Sequence, residues 1–69
     1  MVDADRFLRL RDRLHRVRTA VESCDDPVAR RRVARRVEHI ATIAPADLDS
    51  AEDALTRLER GLISQGWSV

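Results

Sequence analysis

Lysine and tyrosine are absent from this sequence, and cysteine, phenylalanine and tryptophan occur once each. Each scarcity removes a class of protein. A lone Cys24 rules out an internal disulfide framework and suits a reducing, cytoplasmic setting. Phe7 and Trp67 are its only Phe, Tyr or Trp residues, and neither lies near the Arg30–Arg36 run to stack on a base. Two glycines and two prolines are too few for a loop-rich fold or a sheet with many turns. No glycine-rich phosphate loop is present. No apolar run approaches the ~18 residues that span a bilayer. The acids Asp3 and Asp5 follow the start directly, where a signal peptide would carry an apolar stretch.

What remains is rich in arginine, alanine, leucine and valine, a composition suited to helices. All 13 basic side chains are arginine. Codon composition explains that without a functional reason. The functional alternative is the planar guanidinium fork, which grips carboxylate and phosphate in pairs. Formal net charge is only +1, yet its distribution is uneven. Eleven arginines face seven acids up to Ala44, and two face five from Pro45 onward. Opposite poles in one small chain either neutralise each other inside the fold or mark an interaction face.

Hydrophobic spacing supplies the architecture. Phe7, Leu10, Leu14, Val17, Val21 and Cys24 recur at alternating gaps of three and four, which is the seam of a coiled coil. Asp3 is the expected N-cap, and Asp5–Arg9 and Asp12–Arg16 are favourable pairs one turn apart. Asp26-Pro27 is a strong helix start, with the carboxylate at the cap and the ring at the first helical position. The second stripe is Val33, Val37, Ile40 and Ala44, with Ala29, Ala34 and Ala41 alongside. After the break at Pro45 the third is Leu48, Ala51, Leu55, Leu58 and Leu62. Asp49 with Glu52 resembles a capping box, and Asp47 competes with it as the cap. Asp53–Arg57 repeats the favourable spacing, Gly61 reads as a point of close helix contact, and Gly66-Trp67 as a glycine stop with Trp67 folding back.

The expectation is therefore an all-α, antiparallel three-helix bundle of coiled-coil type over residues 1–69, with self-association open. Its helices lie at about 3–23, 27–43 and 47–65. Arginines of the first two helices should meet acids of the third as flanking salt bridges.

Catalysis finds little support. Cys24 would need a histidine beside it, and His15 and His39, placed opposite about Arg35 and Arg11 in the hairpin, lie away from it. Neither histidine has ligand partners at metal-site spacing, so no catalytic residue, metal or cofactor is expected. A core this thin, with roughly 3–5 kcal/mol of hydrophobic surplus, gains from association. Leu8, Val28, Ile43, Ile63 and Trp67 exceed what three narrow stripes consume. The leading expectation is a non-enzymatic protein–protein interaction or adaptor module that binds a partner or itself. Its contacts would be Phe7, Leu8, Ile63 and Trp67, with arginines steering an acidic partner. The alternative is a small nucleic-acid-binding regulator using Arg30, Arg31, Arg32, Arg35 and Arg36, five arginines in two turns. Membrane-surface binding would be weak, because the apolar face of that helix is mostly valine and alanine.

Overall fold

The computed structural model describes residues 2–69, with side chains from Ala4 onward. Three helices follow one another: α1 (Val2–Glu22), α2 (Pro27–Ile43) and α3 (Leu48–Ser64). Each packs against both others, giving an all-α bundle measuring 39 × 18 × 17 Å. Asp3, the expected cap, lies inside α1, which already begins at Val2; its side chain is outside those described.

The helix ends follow from local chemistry. Asp26 sits in extended backbone and its carboxylate accepts from the Val28 amide at 3.0 Å and the Ala29 amide at 3.5 Å, with Pro27 opening the helix. The start of α3 settles between the two candidate caps. Asp47 is the cap, accepting from the Ser50 amide at 3.1 Å and the Ser50 hydroxyl at 2.7 Å. These bonds to its charged form hold the Asp47 carboxyl below its ordinary range, the hydroxyl contributing most. Asp49 and Glu52 do not form the expected capping box; both accept from Arg6 of α1. At the other end of α3, the Trp67 amide donates to the Leu62 carbonyl at 2.9 Å and the Gly66 amide to the Ile63 carbonyl at 3.0 Å. This is the expected Schellman stop, with Gly66 at φ +93°, where only glycine is unstrained.

The core is aliphatic throughout. Leu10, Leu14 and Val17 of α1 meet Val33, Val37 and Ile40 of α2 and Ala51, Leu55, Leu58 and Leu62 of α3, with Ala44 closing one end. Among the described residues no polar or charged side chain is buried. Every stripe predicted from the spacing is thus enclosed along its middle, while its ends, Phe7, Val21 and Cys24, are half-buried. Gly61 is a correction. It faces solvent, and a Cβ built there would meet nothing within 4 Å. The glycine serves no close approach.

Topology follows from two observations. Arg6 and Arg13 of α1 reach partners 43 and 46 residues further along, and that constant offset makes α1 and α3 parallel. Phe7 and Leu10, early in α1, line one cleft with Ala44 just past the end of α2, so α2 runs antiparallel.

Candidate functional site

The charged flanks of the bundle separate into two kinds. Along the α1–α3 seam, the guanidinium groups of Arg6 and Arg13 are engaged. Arg6 donates to both Asp49 and Glu52, and these two hydrogen bonds, that to Glu52 first, push its already high pKa higher. One heptad later Arg13 grips Glu59 in a forked arrangement, 2.5 Å from Nη2 to Oε1 and 3.4 Å from Nε to Oε2. The same Nη2 donates to the Thr56 hydroxyl at 3.0 Å, which in turn donates to the Glu52 carbonyl at 3.0 Å. Within α3, Asp53 and Arg57 close at 3.2 Å. The expected pairs Asp5–Arg9 and Asp12–Arg16 do not close.

Helix α2 behaves differently, and here the expectation of flanking bridges to α3 fails. Arg30, Arg31, Arg32, Arg35 and Arg36 are all exposed, and none forms an ion pair among the described residues. The reason is geometric. Asp49, Glu52 and Glu59 of α3 lie on the flank facing α1 and hold its arginines, while Asp53 pairs with Arg57 of its own helix. Among the described residues, the only ion pair between α1 and α2 joins Arg18 to Glu38 at 3.9 Å, with both side chains half or more exposed. Arg31, Arg32, Arg35 and Arg36, with Val28, border a shallow groove of about 460 Å³.

The proposed protein-contact residues do not gather in one place. Phe7 and Trp67 are partly buried against the core. Leu8 is 53% exposed and Ile63 58% exposed. Because α1 and α3 are parallel, Leu8 sits at one end of the bundle and Ile63 at the other. Of the further leftovers, Ile43 packs on the core and Val28 stands exposed at the edge of the arginine groove.

Reading the stripes alone missed a second groove, of about 280 Å³, between α2 and α3. It is bordered by Arg35, Arg36, His39, Ile40, Ala54 and Leu58, so it shares two arginines with the first groove. The available signal was Ala54, a small residue one position before Leu55 at the edge of an otherwise leucine-rich face.

Reactive side chains do not converge. His15 and Cys24 border one open groove beside the C-terminal turn, yet nine positions apart on and just beyond a helix they are roughly 13 Å apart along its axis. The Cys24 thiol donates to the Asp26 carbonyl at 3.7 Å. Among the described residues, no three His, Cys, Asp or Glu side chains gather as a metal-holding group, and no helix is long and apolar enough to cross a membrane.

Comparison with known protein families, with curated proteins and with solved structures finds no match to this chain.

Proposed function

We propose that this chain is a small non-enzymatic interaction module of the reducing cytoplasm, whose arginine-rich α2 face takes an acidic protein partner. One observation carries the reading: five arginines within two turns of α2 have no internal counter-charge, a density that the scattered unpaired Arg9, Arg11, Arg16 and Arg60 do not reach, while Arg6 and Arg13 are neutralised. Like charges one turn apart, Arg31 with Arg35 and Arg32 with Arg36, disfavour the free helix. An anionic partner removes that repulsion and is drawn in by it. Self-association through this face is the weaker form of the reading, because α3 has committed its carboxylates to α1 and to Arg57.

A second reading, nucleic-acid binding through Arg30, Arg31, Arg32, Arg35 and Arg36, is favoured by the same uncompensated rows, which could release counterions from a phosphate backbone. Titration of the full chain with poly-glutamate and with single- and double-stranded oligonucleotides, across a salt series, separates the two. Tighter binding of poly-glutamate, weakened about tenfold or more in Arg31→Ala/Arg35→Ala, supports the first. Preference for an oligonucleotide at matched charge replaces it with the second. Binding of neither at low salt removes both.

A further inference from the structure

The two grooves on α2 are one track. The first is lined by guanidinium groups with Val28 at its head. The second has an aliphatic floor of Ile40, Ala54 and Leu58. Arg35 and Arg36 border both, so charged and apolar surface adjoin there. We infer that this track is a docking site for an acidic amphipathic segment of another protein, with an aliphatic side chain over Ile40, Ala54 and Leu58 and carboxylates on Arg31, Arg32, Arg35 and Arg36. The inference rests on the acidic-partner reading above and adds the anchor to it.

Complementarity selects this occupant. A purely anionic chain pairs the guanidinium groups and leaves uncovered the apolar surface at Ala54 and the edges of Ile40 and Leu58. A purely aliphatic ligand covers the floor and leaves the guanidinium groups unpaired at its edge. A nucleic acid would find no Phe, Tyr or Trp at this groove, where His39 at the rim is the one ring and Trp67 is engaged at the far end of α3. A second copy of this chain is a poorer match: on α3 Asp49, Glu52, Asp53 and Glu59 all hold arginines and Asp47 caps the helix, and on α1 the unpaired Asp5 and Asp12 alternate with Arg9 and Arg16. A segment with leucine at helical spacing and glutamate between satisfies both halves of the track, the helix-in-groove mode of recognition.

The test uses isotope-labelled full-length protein and two synthetic peptides of equal charge. One is an amphipathic Glu/Leu peptide, the other the same peptide with each leucine replaced by serine. At physiological ionic strength the leucine peptide should bind about tenfold tighter or more, the gain expected from covering one aliphatic side chain. Its resonance shifts should reach Ala54 and Leu58 as well as Arg31 to Arg36. Ala54→Gln, a change at a half-buried position that fills the groove, should abolish the difference and leave the serine peptide's affinity unchanged. Equal affinity of the two wild-type titrations, with shifts confined to α2, overturns the anchor and leaves the acidic-partner reading standing. Absence of shifts with either peptide overturns both. The comparison of peptides on the unmodified protein holds even if Ala54→Gln does not fold.

Discussion

Two of the arginine groups on this bundle are used in opposite ways. Arg6 and Arg13 of α1 lie one position ahead of seam residues, a heptad apart, and find carboxylates on α3 at the matching heptad spacing. The arginines of α2 have the same side chain and a similar density, and find nothing. What separates them is which neighbour lies across the groove. A guanidinium group facing a complementary helix becomes part of the fold; one facing water in a like-charged row remains available to another molecule.

Charge reversal breaks this contrast most directly. Arg13→Glu sets a carboxylate against Glu59 and should lower the unfolding free energy by about 1–2 kcal/mol, more than an ordinary surface change. Arg32→Glu should leave stability within about 0.5 kcal/mol or raise it slightly, because it replaces repulsion with a favourable pair one turn from Arg36. Urea melts of both variants decide the matter; an equal loss in the two would erase the distinction. Gly61→Ala sharpens the measurement by offering a firmer background. The added methyl meets open space and the helix loses its most permissive residue, so stability should rise by roughly 0.5–1 kcal/mol without disturbing either arginine set. A loss in the same melts would mean that the solvent-facing placement of Gly61 is wrong. The smallest effect is acid dependence at the α3 cap, next to the Arg6 partners. Asp47 titrates lower folded than unfolded, so its contribution is present above its ordinary value of 3.8 and fades as pH falls through the lower folded value. Asp47→Asn keeps a capping oxygen without that titration, and its stability should therefore decline less over the same acid interval in thermal melts.

The fold was legible because its signals are local and repeated. The three-and-four spacing at Leu10, Leu14 and Val17, the Asp26-Pro27 start and the Gly66-Trp67 stop each depend on neighbours within a few residues. The Arg6 contacts show where that legibility ends. Asp49 and Glu52 have capping-box spacing, and only the position of another helix decides that they hold a guanidinium group instead. Gly61 failed for a related reason: periodicity places a residue near a face without saying whether anything stands opposite. The arginine row was visible in sequence, but its lack of counter-charge and the groove beside Ala54 are properties of how two helices sit together.

The Arg6 and Arg13 rungs also bear on a choice that the leucines cannot make. Three amphipathic rods can be wound around a common axis in either of two mirror senses, and an aliphatic interior is nearly indifferent between them. Cationic groups on one flank of α1 and their carboxylate counterparts on one flank of α3 meet in only one sense. Weak as each rung is, the pair favours the observed winding over its mirror image, and a chain stripped of both would lose that bias.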